Sequence, residues 1–143
     1  MAIKQLTVFV ENKKGSMVSI TDILSKNNVN IRALSIAETQ DFGILRLIVN
    51  DNETALKALQ ENDYLVKSVD VLGVKIGDAP GKLTTALDVL DKANINVEYL
   101  YAFMLRTEKH AYVVFRVENN EVAGAALENA GYHLITEADV CKL

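Results

Sequence analysis

Residues 15–64 of this chain recur further along it, and a duplication of that length constrains the fold more than any local pattern does. An offset of 66 positions lays Gly15 on Gly81, Asp22 on Asp88, Leu24 on Leu90, Lys26 on Lys92, Asn28 on Asn94, Asn30 on Asn96 and Leu34 on Leu100. Beyond residue 43 the offset becomes 68, and Val49 meets Val117, Asn52 meets Asn120, Glu53 meets Glu121 and Tyr64 meets Tyr132. Ala55, Ala58 and Leu59 likewise meet Ala123, Ala126 and Leu127. The two extra residues fall near positions 107–110, and an insertion is tolerated best at a loop tip, so a turn between strands is expected there.

Within each copy the hydrophobic periodicity is readable. Leu6, Val8 and Val10 alternate with Gln5, Thr7 and Phe9, the spacing of a strand. Met17, Ile20, Ile23 and Leu24 then fall on one helical face that opens at Gly15-Ser16 and stops at Asn27-Asn28, since Asn tolerates left-handed backbone. Residues 31–38 and 44–49 are β-rich and joined by Thr39-Gln40-Asp41-Phe42-Gly43, a hairpin signal. Asp51 or Asn52 can cap a second helix carrying Ala55, Leu56, Ala58 and Leu59, and residues 64–71 close the unit as a fourth strand.

The second copy repeats the pattern, with Leu83, Ala86, Leu87 and Leu90 on its first helix, strands at 97–105 and 111–118, and Val122, Ala123, Ala126 and Leu127 on its second helix. The order βαββαβ is the ferredoxin-like arrangement, one antiparallel sheet with both helices on one face. The expected class is therefore α+β, with two such units, 1–70 and 71–143, packed side by side and joined without a linker.

Charge and cysteine content narrow the function. The chain carries 15 basic and 19 acidic residues, and split at residue 70 the halves hold 8 against 9 and 7 against 10. Neither half has the positive excess that a phosphate-backbone partner needs, so nucleic acid is not expected. A single cysteine, Cys141, excludes a disulfide framework and a multi-thiolate metal site. No apolar run approaches the ~18 residues of a membrane span. The first residues lack the layout of a signal peptide, so the cytoplasm is the expected compartment.

The sheet face turned away from the helices carries more apolar bulk than water-facing sheets usually do. If Val113, Phe115 and Val117 face the helices, then Tyr112, Val114 and Arg116 face away, as do Ile44, Arg46 and Ile48 in the first copy. Tyr99, Tyr101 and Phe103 alternate with Leu100, Ala102 and Met104, which leaves large apolar groups on both sides. A homodimer through this face is expected on that ground.

The stretches with most chemical potential follow the first strand of each copy: Glu11-Asn12-Lys13-Lys14-Gly15-Ser16-Met17 and Gly77-Asp78-Ala79-Pro80-Gly81-Lys82-Leu83. Each is a polar turn ending in Gly at a helix start, where unpaired amides and the positive end of the helix dipole can seat a carboxylate. Asp78 or the Asn12 carbonyl could answer a ligand ammonium, and Lys14, Ser16 and Lys82 could add donors. The plainer reading is a well-capped turn and nothing more.

Asp78-x-Pro80-Gly81-x-Leu83, an amphipathic helix, and then Asn94-Ile95-Asn96-Val97 before a strand resemble the ACT domain. The first copy keeps Gly15 and Asn28-Val29-Asn30-Ile31 but has Asn12 in place of the Asp and Lys14 in place of the Pro. The resemblance spans the chain as a tandem pair with no attached catalytic domain. It implies regulatory modules that pair edge to edge and bind free amino acids at the seam. Carried over residue by residue, it makes Asn12, Gly15, Ser16, Met17, Asp78, Ala79, Pro80, Gly81 and Leu83 ligand candidates, with Asn30 and Asn96 contributed by a neighbouring unit. Asn28 and Asn94 read instead as helix stops.

The rivals lack their chemistry. His110 and His133 have no counterparts in the other copy and read as surface or packing residues, so neither catalysis nor zinc ligation is expected, and no cofactor is implied. Asp22 with Lys26, and Asp88 with Lys92, read as exposed i,i+4 ion pairs worth ~0.3–0.5 kcal/mol each. Tyr101 and Tyr112 could imitate an RNA-stacking platform, but the aromatic run of RNA-binding domains is missing. The expected function is non-enzymatic amino-acid sensing. The alternative is a regulatory subunit that binds a separate enzyme of amino-acid metabolism without sensing a metabolite.

Overall fold

The computed structural model describes residues 2–105 and 109–143. Part of the two-residue insertion therefore lies outside the described residues. The chain folds into β1 (Ile3–Glu11), α1 (Ser16–Lys26), β2 (Ile31–Glu38), β3 (Phe42–Val49), α2 (Asn52–Glu61), β4 (Val66–Gly77), α3 (Lys82–Lys92), β5 (Val97–Ala102), β6 (His110–Val117), α4 (Asn120–Asn129), β7 (His133–Ile135) and α5 (Glu137–Lys142). Two compact units result. One comprises Lys4–Val69 with Val140–Leu143, and in the other Ile3 joins Asp70–Asp139.

In the first unit β1 pairs antiparallel with β3, Leu6 opposite Leu47, and β3 pairs antiparallel with β2, Leu34 opposite Leu47. The opening residues of β4 lie on the other side of β1, where the Phe9 amide donates to the Leu65 carbonyl at 3.0 Å. One face of this sheet packs Leu6, Val8, Leu45, Leu47 and Val49 against Ile20 and Leu24 of α1 and Ala55 and Leu59 of α2. The period-2 pattern of the strands and the 3.6-residue pattern of the helices thus meet in one core.

The second unit repeats the plan. β6 pairs antiparallel with β5 and with β4, and β7 pairs antiparallel with β4. Leu72, Val74, Val113, Phe115 and Val117 pack on Ala86, Leu90, Ala123 and Leu127. The copies agree to the residue: α1 and α3 start and stop 66 positions apart, α2 and α4 start and stop 68 apart. Both second strands are irregular at the same place, between Ile31 and Ala33 and between Val97 and Tyr99. The α+β, ferredoxin-like reading stands.

Several boundaries moved. The Thr39 hydroxyl and amide bond Phe42, closing a tighter hairpin and starting β3 two residues early. β5 ends at Ala102, not at 105. The expected fourth strand of the first copy and first strand of the second are one continuous strand, β4. α5 was not foreseen.

The far sheet face needs a correction. Ile48 and Val114 are 1% and 0% exposed within the single chain. In the second unit the reason is visible. Gly73 lies between Val114 and Ile135 in the register, and Ile3 Cδ1 and the Ile135 side chain crowd the space where a Gly73 Cβ would stand. The chain's own residues cover this part of the face, so these positions carry no argument for a second copy. Tyr101 is also buried at 8%, which removes the stacking platform.

Candidate functional site

The two glycine turns are built alike. Gly15 has φ 90° and ψ −10°, and Gly81 has φ 86° and ψ −9°. That left-handed geometry is costly for any residue with a Cβ, which is why both copies have glycine there. In each turn the first helical amide bonds back three residues, Ser16 N–H to the Lys13 carbonyl at 3.3 Å and Lys82 N–H to the Ala79 carbonyl at 3.2 Å. Neither helix has a side-chain cap. Among the described residues, the amides of Met17 and Val18, and of Leu83 and Thr84, have no acceptor, so each helix start keeps donors for an anion. No atom comes within 4 Å of a Cβ built on Gly15 or Gly81, so the space above each turn is open.

The surroundings of the two turns differ. In the first unit the Asn12 backbone donates to the Asp41 carbonyl at 2.9 Å, and its Nδ2 donates to the Thr39 carbonyl at 3.1 Å. Asn12 therefore ties the turn to the β2–β3 hairpin and has only Oδ1 left for a ligand. Glu11 pairs with Lys13 at 3.1 Å. In the second unit the Asp78 amide donates to the Lys109 carbonyl at 3.3 Å, the counterpart of the Asn12–Asp41 bond. The Asp78 side chain is exposed, and the Lys82 stem lies across Gly77, its Cγ 3.1 Å from where a Cβ would be.

The candidates of each turn, Asn12, Lys14, Gly15, Ser16 and Met17 on one and Asp78 through Leu83 on the other, are thus gathered by contiguity. Met17 and Leu83 pack partly against the cores beneath, which anchors the helix starts and turns these side chains from solvent. Asn30 and Asn96 stand apart from their own turns, at the far end of α1 and of α3 respectively. The Asn30 amide donates to Asn50 Oδ1 at 2.8 Å, and Asn50 N–H returns a bond to the Asn30 carbonyl at 3.1 Å. Asn28 and Asn94 are left-handed, φ 57° and 59°, which is the geometry of a helix stop.

Sequence reasoning missed the chain's last residues. Arg32 Nε donates to the Val140 carbonyl at 3.1 Å, and its terminal nitrogen to the Cys141 carbonyl at 3.0 Å. A signal was present: Thr136 and Asp139 exchange side chain-to-amide bonds at 3.1 and 2.9 Å, a capping box legible as T-x-x-D. The ion pairs Asp22–Lys26 and Asp88–Lys92 both form at 2.8 Å on exposed surface, and each holds its lysine above the usual value through a side-chain hydrogen bond. Among the described residues no cluster of His, Cys, Asp and Glu could hold a metal. No helix among them is long and apolar enough to cross a membrane.

Comparison with known proteins bears on the family and the fold. The family model described as an ACT domain pair matches residues 1–143. A crystallised protein from Bacteroides thetaiotaomicron is 38% identical, with a TM-score of 0.93 over 100% of this chain and 98% of that one. The regulatory subunit of aspartate kinase from Thermus thermophilus, in a ligand-free form, aligns with a TM-score of 0.64 at 14% identity, covering 90% of this chain and 91% of that one. That of Thermus flavus aligns with a TM-score of 0.60 at 15% identity, covering 89% and 91%. No curated protein sequence matches the chain. The duplicated βαββαβ order, the paired glycine turns and the whole-length match lead to one conclusion: this chain belongs to the ACT family, as an ACT domain pair.

Proposed function

We propose that this ACT domain pair is a non-enzymatic regulator that binds a free amino acid at its glycine turns. The observation that carries the reading is the repeated helix start with donors to spare and no side-chain cap. A ligand carboxylate accepts from the open amides, while an acceptor at the position before the turn, Asp78 or Asn12 Oδ1, meets the ammonium group. Lys14, Ser16 and Lys82 border the carboxylate, and Asn30 and Asn96 serve from a neighbouring unit, because each lies too far along its own helix. No reactive group is required, since binding need only shift a conformational or association equilibrium.

Thermal unfolding against the twenty amino acids tests the reading. One or two should raise the melting temperature, because a ligand at a hundred times its Kd stabilises the native state by about 2.7 kcal/mol. Gly81→Ala and Gly81→Glu share the torsional strain of a left-handed residue, so the difference between them reports the site. The ligand shift should survive Gly81→Ala and vanish in Gly81→Glu, whose carboxylate competes for the amides. If no amino acid moves the transition while a metabolic enzyme co-purifies in fixed ratio, the subunit alternative replaces this reading.

A further inference from the structure

The two glycine turns share a backbone but not a charge. The repeat offset exchanges Asn12 for Asp78, Lys13 for Ala79, Lys14 for Pro80 and Ser16 for Lys82. In the first turn Glu11 is taken by Lys13 at 3.1 Å, and among the described residues no acid pairs with Lys14. That turn is cationic. In the second turn the Lys82 stem runs back across Gly77, its Cγ, Cδ and Cε 3.1, 3.2 and 3.3 Å from where a Cβ would be, and Asp78 is the next residue. One charge of each sign therefore borders the second turn, as in a zwitterion. Asn12 is also committed, since its Nδ2 donates to the Thr39 carbonyl at 3.1 Å and to the Gln40 carbonyl at 3.4 Å. A carboxylate has no hydrogen to give, so that tie is closed to Asp78, whose side chain is exposed. Pro80 fixes one backbone torsion of its turn before anything binds, which Lys14 does not.

We infer that the two turns fill in order, the Asp78 turn first, and that Asp78 makes its turn choose a free amino acid over the same acid without its amino group. The inference rests on the reading of the glycine turns as amino-acid sites and adds which of them responds at low concentration. At the second turn a ligand ammonium meets a full opposite charge, and at the first only the dipole of Asn12 Oδ1. It also approaches Lys14 there, a like charge. The carboxylate end discriminates less, because both helix starts offer open amides with a lysine close by. A 2-oxo acid keeps the carboxylate and lacks the ammonium, so it gains nothing from Asp78 and is drawn to the cationic first turn. The pair then answers its amino acid at two thresholds instead of one.

The test is an NMR titration of the labelled full chain with each of the twenty amino acids in turn, and with the 2-oxo acid of each one that binds. The Leu83 and Thr84 amides should shift at an amino-acid concentration lower by about tenfold or more than the Met17 and Val18 amides. The 2-oxo acid should abolish or reverse that order. Asp78→Asn keeps the shape of an exposed side chain, and should bring the amino-acid midpoints of the two turns within about threefold of each other. The inference is overturned if the two sets of amides titrate together with the amino acid, if the first turn fills first, or if Asp78→Asn leaves the order intact. It is overturned too if the 2-oxo acid follows the amino-acid order, since Asp78 would then not be reading the ammonium group. No shift at either turn with any of the twenty would instead remove the amino-acid reading itself, and this inference with it.

Discussion

Asp51 and Asn119 perform the same bond in the two copies, each accepting the amide three residues ahead at 3.1 Å, from Thr54 and Val122 respectively. Only one of them can ionise. Hydrogen bonds from the Thr54 hydroxyl and amide hold the Asp51 carboxyl below its ordinary value.

Acid should therefore loosen α2 before α4. A depressed folded pKa contributes stability that is complete above the unfolded value, about 3.9, and is lost as pH falls through the folded one. Amide exchange at Thr54 should accelerate below about pH 4 relative to exchange at Val122, after correction for intrinsic rates. Asp51→Asn should erase the difference, and either cap changed to Ala should cost about 1 kcal/mol by denaturant titration.

Gly15→Ala and Gly81→Ala should destabilise by similar amounts, on the order of 1–2 kcal/mol, because both impose a left-handed conformation and neither Cβ meets an atom within 4 Å. Markedly unequal losses in chemical denaturation would mean that more than torsion is at stake in one turn.

Gly73→Ala should cost about 1–3 kcal/mol for a different reason, overpacking. Its Cβ would stand 3.0 Å from Ile3 Cδ1 and 3.2 Å from Ile135 Cβ. Ile3→Val removes the first clash, so a double-mutant cycle should show the two changes partly compensating; strict additivity would place Ile3 elsewhere.

Arg32→Ala removes both donors from the last turn of α5. Amide hydrogen exchange over residues 140–143 should then accelerate relative to the parent while exchange in β1 and β3 stays unchanged, because only this short segment loses its anchor.

The duplication made most of the fold legible, since any pattern seen in one copy could be checked in the other. Asn27-Asn28 ended α1 where a left-handed residue was needed, and Asp51 stood where α2 wanted an acceptor. The far sheet face was harder. Alternation says which side Ile48 and Val114 take but not what covers them, and Ile3 over Gly73 is a contact between residues distant in the chain. β4 hid for the opposite reason: no Gly/Pro punctuation divides 66–72, and a strand with nothing to interrupt it simply continues. Of the candidate site, the turns were readable because glycine is dictated by torsion. The tie from Asn12 to the hairpin was not, because it depends on a loop folding back over 27 positions.

The matching irregularities between Ile31 and Ala33 and between Val97 and Tyr99 make each copy a control for the other. Both second strands lose regular pairing at the residue after their first, although that residue is Arg32 in one copy and Glu98 in the other. The break therefore belongs to the backbone plan of the unit and not to the charge of the side chain that occupies it.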